Sequence, residues 1–177
     1  MSEFLFSHLF LLHSHVIESI KEIVMKKAIE KRTLNDNLFQ NLFVSPFLVT
    51  LDLSSANSLL TDSSLETISK CCTNLMSISL FRCTFSGESL MSVIKRMTCL
   101  VSLNLSRTNI NDQHLIALSK CATNLNRLVI NRNTKLTDEG LIPVIMNCTK
   151  LYHLSMSVCR NVSHQYQKEI KKLLISQ

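Results

Sequence analysis

One pattern recurs through most of this chain and limits what it can fold into. Five segments, LVTLDLSSA from Leu48, LMSISLFRC from Leu75, LVSLNLSRT from Leu100, LNRLVINRN from Leu125 and LYHLSMSVC from Leu151, fit L-x-x-(L/I)-x-(L/I/M)-x-x-(C/N/T/A). Their first leucines stand 27, 25, 25 and 26 residues apart. A second block follows four of them: LTDSSLETISKC, FSGESLMSVIKRM, INDQHLIALSKC and LTDEGLIPVIMNC. Its Leu65, Leu90, Leu115 and Leu141 each lie ten residues before the next first leucine.

The two blocks have different periods. Leu-x-Leu alternation puts Leu51 and Leu53, or Leu103 and Leu105, on one side of a short strand. The second block changes to steps of three and four, as in Leu115, Leu118 and Cys121 or Ala122, which describes a helical face. Asp62, Asp112 and Asp138 stand where these helices start, and their carboxylates are expected to cap orphan N–H groups, worth about 0.5–2 kcal/mol each. The second unit has Ser86-Gly87-Glu88 instead, so Ser86 is its expected cap. A strand–turn–helix unit cannot bury its apolar face alone; stacked units can, through a continuous leucine ladder.

These residues resemble the leucine-rich-repeat family. Within it they are similar to the cysteine-containing subtype found in F-box/LRR substrate receptors and in antagonist-of-mitotic-exit-network proteins. The resemblance covers about residues 48–163. It rests on L-x-x-L-x-L-x-x-C at Leu75–Cys83 and Leu151–Cys159, on L-T-D-x-x-L at Leu60–Leu65 and Leu136–Leu141, and on Cys72, Cys121 and Cys148 shortly before the next leucine. Ala56, Thr108 and Asn133 replace Cys at the turn, and Met97 replaces the helix-end Cys of the second unit. The family implies an α/β fold: a right-handed solenoid with a curved parallel sheet on the concave face and helices on the convex face. It also implies a non-enzymatic protein-interaction module, with ubiquitin-ligase substrate recognition or cell-cycle regulation as the setting, in the cytoplasm or nucleus. Residues 1–47 lack the Leu-Pro opening of an F-box; the two prolines are Pro46 and Pro143.

The ends read as helical. Leu5, Leu9, Leu12, Val16, Ile20 and Ile23 are spaced by three or four, an amphipathic helix with Lys21, Glu22, Lys26 and Lys27 among its solvent positions. Leu38 lies ten residues before Leu48, so residues 33–47 read as the helical half of a repeat. Residues 1–47 are therefore expected to form an N-terminal cap, with a docking helix as the alternative. Residues 48–163 are the repeats. Residues 164–177 are the expected C-terminal capping helix, with Tyr166, Ile170, Leu173 and Leu174 inward and Lys168, Lys171 and Lys172 outward.

Composition narrows the chemistry. Two glycines in 177 residues leave no material for a Gly-rich phosphate loop, and no cofactor motif is present. With no Trp and 6% aromatics, a base-stacking nucleic-acid platform is not expected. Seven cysteines, an odd number with Cys71 and Cys72 adjacent, fit a reducing compartment; they are expected as small buried fillers, and no zinc spacing or catalytic constellation is present. The first twelve residues are apolar but carry Glu3 and no preceding basic residue, so neither a signal peptide nor a transmembrane segment is expected there. The net charge is +6, and its whole surplus lies after residue 47.

That surplus points to a site. The eighth column of the repeat reads Ser55, Arg82, Arg107, Arg132, Val158. Arginines on successive parallel strands would stand about 5 Å apart and repel unless an anion or solvent screens them. With Arg127 in the third column and Phe81 and Asn131 in the seventh, they form the candidate anchor for an acidic protein partner. A solvated edge is the plain alternative. A second functional reading is a basic surface for an anionic partner such as RNA or acidic membrane.

Overall fold

The computed structural model describes residues 16–17, 19–42, 44–54, 56 and 58–175. Two helices lead, α1 (residues 19–30) and α2 (Asp36–Leu42). Five strands then alternate with helices: β1 (Thr50–Asp52), α3 (Asp62–Cys71), β2 (Ser77–Ser79), α4 (Gly87–Arg96), β3 (Ser102–Asn104), α5 (Asp112–Cys121), β4 (Arg127–Val129), α6 (Asp138–Asn147), β5 (His153–Ser155) and α7 (His164–Ile175). The strands pair in chain order as one parallel sheet, with Leu51, Ile78, Leu103, Leu128 and Leu154 in register. Parallel strands joined by helical crossovers wind into a right-handed curved solenoid, sheet inside and helices outside.

Its interior is a set of ladders. First leucines Leu75, Leu100, Leu125 and Leu151, strand-exit residues Leu53, Leu80, Leu105 and Ile130, and helix residues Leu65, Leu90, Leu115 and Leu141 are all buried. Each such side chain contributes roughly 1.5–3 kcal/mol, and all belong to one continuous core, so stability accumulates turn by turn. The helices end alike: the N–H groups of Cys72, Met97, Ala122 and Cys148 donate to the carbonyls of Ile68, Val93, Leu118 and Val144.

The helix starts correct one expectation. Asp62, Asp112 and Asp138 are the first helical residues, not the caps, which are Thr61, Ser86, Asn111 and Thr137. Each aspartate instead reaches the next repeat. Asp62 accepts from the Ser86 N–H (2.9 Å), Asp112 from the N–H and hydroxyl of Thr137 (2.9 and 2.7 Å), and Asp138 from the Ser163 N–H (2.9 Å). Asp36 does the same for Thr61 and Ser64. Where Gly87 replaces aspartate, the buried His114 of the next repeat donates from Nε2 to the Gly87 carbonyl (3.0 Å), while its Nδ1 lies against Asn111, 2.6 Å from the side-chain oxygen and 3.2 Å from the backbone nitrogen. The chain thus clips neighbouring turns together by charge-assisted bonds, and substitutes an imidazole where the carboxylate is missing.

Other differences concern the ends and the cysteines. Leu5, Leu9 and Leu12 lie outside the described residues. Val16, Ile20 and Ile23 are exposed; α1 instead buries Met25 and Ala28. It closes with Thr33 N–H to Ala28 C=O and Arg32 N–H to Ile29 C=O, Arg32 taking the left-handed position (φ 54°) that usually falls to glycine. Among the described side chains of α2 the fully buried one is Phe39, three residues after Asp36 as Leu65 is after Asp62; Leu38 is only half-buried. In α7 Ile170 is buried and Lys168 and Lys172 are exposed, whereas the side chains of Lys171, Leu173 and Leu174 lie outside the described residues. Cys72, Cys83, Cys148 and Cys159 are the buried fillers, but Cys71 and Cys99 are exposed and Cys121 is intermediate.

Candidate protein-binding site

The site is built from the turns that follow the strands. The ladder of backbone hydrogen bonds continues past the strand ends: Arg82 N–H to Ser106 C=O (3.1 Å), Arg107 N–H to Asn131 C=O (2.9 Å) and Arg132 N–H to Ser157 C=O (2.8 Å). The chain then folds under, as where the Cys83 N–H donates to the Leu80 carbonyl (3.0 Å). That turn demands a left-handed residue, and Arg82, Arg107, Arg132 and Val158 supply it at φ 62°, 56°, 60° and 64°. The arginines therefore sit on turns three residues past the strands, not within them. Ser55, the first member of the column, lies outside the described residues.

Ninth-column side chains pin three of these turns to the repeat behind, while Thr108 Oγ1 braces the Arg107 turn within its own repeat by donating to the Leu105 carbonyl (2.7 Å). Cys83 Sγ donates to the Leu53 carbonyl (3.1 Å), Cys159 Sγ to Ile130 (3.2 Å), and Asn133 Nδ2 to both Leu105 (2.8 Å) and Ile130 (3.0 Å). Burial pushes the Cys83 thiol up to about 12, with Asp52 adding to the effect. The turns carrying the arginines are thereby anchored from beneath.

Two adjoining depressions result. One of about 450 Å³ is lined by Phe81, Arg82, Asn104, Ser106, Arg107, Val129, Asn131 and Arg132. A smaller one of about 250 Å³ lies between Arg107 and Arg132, with Thr108, Asn109, Ile110, Thr134 and Lys135. No Asp or Glu lines either. Among the described residues no ion pair or side-chain hydrogen bond engages the guanidiniums of Arg82, Arg107, Arg127 or Arg132. Arg82 rests over the Phe81 ring, 5.4 Å from its centroid. Arg132 foremost, then burial, then Arg82 hold the Arg107 guanidinium below its usual range, the signature of an unneutralised cluster.

The floor is locked by its own polar groups. Asn104 Oδ1 accepts from the Ser106 N–H (3.0 Å), and the Asn131 N–H donates to Ser106 Oγ (3.1 Å). Asn131 Oδ1 accepts from Ser155 Oγ (2.9 Å) and the Ser157 N–H (2.6 Å). With both amide oxygens engaged, Asn104 and Asn131 have their Nδ2 ends to offer as donors. Arrays of guanidinium and amide donors over an apolar patch bind anions; they hold no nucleophile–base pair.

The structure brings together Phe81, Arg82, Arg107, Asn131 and Arg132. It leaves Arg127 apart, exposed on β4 beside its register partner His153 and outside both depressions. Burial and then Arg127 lower the His153 pKa. Asn104 and Ser106, small polar residues at concave positions of the repeat, line the larger depression as well; Val129, in the same column as Asn104, is the lining residue that the polar pattern did not single out. No group of three or more His, Cys, Asp and Glu side chains that could hold a metal occurs among the described residues, and no described helix is long and apolar enough to cross a membrane.

A family model described as Leucine Rich repeat matches residues 96–119 and 121–144. The crystal structure of the Rad7 and Elc1 complex in yeast contains a similar fold, with a TM-score of 0.61 and 19% identity over 86% of this chain. The fold is a leucine-rich-repeat solenoid. The present chain spans 43% of the length of that yeast chain. No curated protein matches the sequence. At that identity the likeness concerns the fold, and the site must be judged on its own residues.

Proposed function

We propose that this leucine-rich-repeat chain is a protein-interaction module that grips an acidic segment of a partner protein on its concave side. The observation that carries the reading is the cluster of Arg82, Arg107 and Arg132 on three successive turns with no carboxylate among their neighbours. Such a cluster is costly to the free protein and favourable once an anionic partner arrives. The opposite lip of the sheet favours a protein over a bare polyanion. There Val49, Met76 and Tyr152, the second residues of their repeats, are exposed at the strand entrances. A basic lip and an apolar lip suit a polypeptide that carries both kinds of side chain.

The setting follows from resemblance. Similarity to the cysteine-containing repeats of F-box/LRR receptors supports ubiquitin-ligase substrate selection or cell-cycle regulation, in the cytoplasm or nucleus. The yeast neighbour in complex with Elc1 is a precedent for this fold assembling with another protein.

The test is affinity capture with quantitative mass spectrometry, comparing the wild type with R107E/R132E. Glutamate carries the same left-handed backbone cost as arginine, and circular dichroism checks the fold. Acidic partners should disappear from the variant's set. An unchanged set would place the binding surface elsewhere, and recovered RNA in place of protein would favour the anionic-surface alternative.

A further inference from the structure

The geometry points to a phosphorylated serine or threonine as the anchor: we infer that the groove seats a phosphate among Arg82, Arg107 and Arg132, presented by an extended segment of the partner. This rests on the proposed protein-binding function and specifies the chemistry of what is bound.

Three features distinguish phosphate from a carboxylate. The first is charge. The arginine backbones are joined through the parallel ladder, so their guanidiniums stem from points about 5 Å apart. One carboxylate brings a single charge and two oxygens, which satisfy one guanidinium fork. A phosphate monoester brings about −1.5 to −2 and three oxygens, enough to take forks from two adjacent turns at once.

The second feature is the imbalance of donors. Asn104 and Asn131 have spent their amide oxygens inside the protein and keep Nδ2. With the guanidiniums, the groove is rich in donors, which suits a ligand group that only accepts. A phosphate dianion is such a group.

The third feature is rigidity and flank. The arginine turns are held by backbone bonds of 2.8–3.1 Å and by the ninth-column side chains beneath them, so the donors are placed before the ligand arrives. Phe81 and Val129 line the same groove and supply apolar surface for a neighbouring side chain of the peptide. A lipid headgroup or a nucleic-acid backbone would match the charge but has no comparable use for that surface or for the apolar lip.

The experiment uses the full chain against three short oriented peptide pools, identical except for a central Ser, Asp or phosphoserine, with affinity read by fluorescence polarisation and contact by Arg Nε NMR shifts. The phosphoserine pool should bind at least about tenfold more tightly than the Asp pool, with Nε shifts at Arg82, Arg107 and Arg132. R107N/R132N should abolish that preference. Asparagine accepts the left-handed turn, so the variant keeps its fold. Equal affinity for the Asp and phosphoserine pools would overturn the phosphate inference and leave the acidic-partner reading standing. Absence of binding by every pool, or unchanged binding by R107N/R132N, would overturn both. Stronger binding to RNA oligonucleotides or to phosphatidylinositol-phosphate vesicles than to the phosphoserine pool would also overturn the inference.

Discussion

Replacing Gly140 by alanine sets two rules against each other. In an isolated helix alanine is favoured over glycine by about 1 kcal/mol, so by propensity alone G140A stabilises α6. The structure reverses the sign. Gly140 is buried where α6 crosses the start of α5, and a methyl there would overlap Asp112 Oδ1 and stand 2.8 Å from Asp112 Cα and 2.9 Å from its Cβ. Ordinary carbon contacts begin near 3.5 Å, so the helices must part by about 0.6 Å or more. Parting also stretches the Asp112–Thr137 clip, whose bonds of 2.9 and 2.7 Å join the two repeats. Overpacking costs about 1–3 kcal/mol in general, and a clash with backbone as well as side-chain atoms of Asp112 belongs in the upper part, about 2–3 kcal/mol; set against the propensity gain it leaves a net loss of about 1–2 kcal/mol. With an m-value of about 2 kcal/mol/M, the urea midpoint followed by circular dichroism should fall by about 0.5–1 M. G87A is the internal control. Its methyl meets only the His114 ring, at 3.6 Å, an ordinary contact, so its stability should fall by no more than about 0.5 kcal/mol and can rise by the propensity gain. A G140A midpoint at or above wild type would refute the claim that Gly140 sets the spacing of α5 and α6.

Three further outcomes are expected. Burial pushes the Asp36 carboxyl up, but hydrogen bonds from Ser64 and Thr61 outweigh it and hold it below the usual carboxylate range. A depressed folded-state pKa gives stability that is present above the unfolded value of about 3.9 and lost as pH falls through the folded one, so D36N should show a shallower decline in Tm below about pH 4 than wild type; identical declines would count against the clip. Asn133 Oδ1 is buried with no partner, whereas cysteine in the same column donates to the neighbouring carbonyl without an orphan acceptor. N133C exchanges one hydrogen bond of about 1 kcal/mol for relief of a penalty of about 1–3 kcal/mol, so urea unfolding should show it as stable as wild type or more so, and a loss above about 1 kcal/mol would refute this. Iodoacetamide followed by mass spectrometry should mark Cys71 and Cys99 in the native protein and spare Cys83 and Cys148, whose thiols burial pushes up to about 12 and about 11. Alkylation of Cys83 at the rate of Cys99 would contradict the burial.

The winding was legible because it is written as a period: Leu-x-Leu alternation and a three-and-four helical step each state which side faces inward. What the period did not disclose was the function of residues whose partner lies a full turn away. Asp112 looks like a helix cap because local spacing places it at a helix start, yet its hydrogen bonds run to Thr137 in the next unit. His114 looks like a scattered histidine until Gly87 is known to lack a carboxylate. The α1 face was misread for a related reason. Val16, Ile20 and Ile23 have helical spacing, but spacing cannot say which of two apolar stripes meets the array, and Met25 and Ala28 do. At the site, the arginine column and its seventh-column neighbours were visible in the sequence, whereas the separation of Arg127 required knowing that the turn, not the strand, carries the others.

The left-handed turn adds weight to the arginine cluster. Val158 adopts the same φ as Arg82, Arg107 and Arg132, so the conformation belongs to the architecture of the turn and not to arginine. Glycine or asparagine would fit that backbone with less strain, and neither would repel its neighbours across the ladder. Arginine is thus unfavourable on both counts at all three turns, and the strain and the repulsion fall on the same residues. Folding alone gives no reason for that coincidence, because the ladders, the aspartate clips and the ninth-column bonds close the solenoid without any guanidinium. An anion laid across the three turns gives one: it removes the repulsion and uses donors already fixed in place by the turn that strains them.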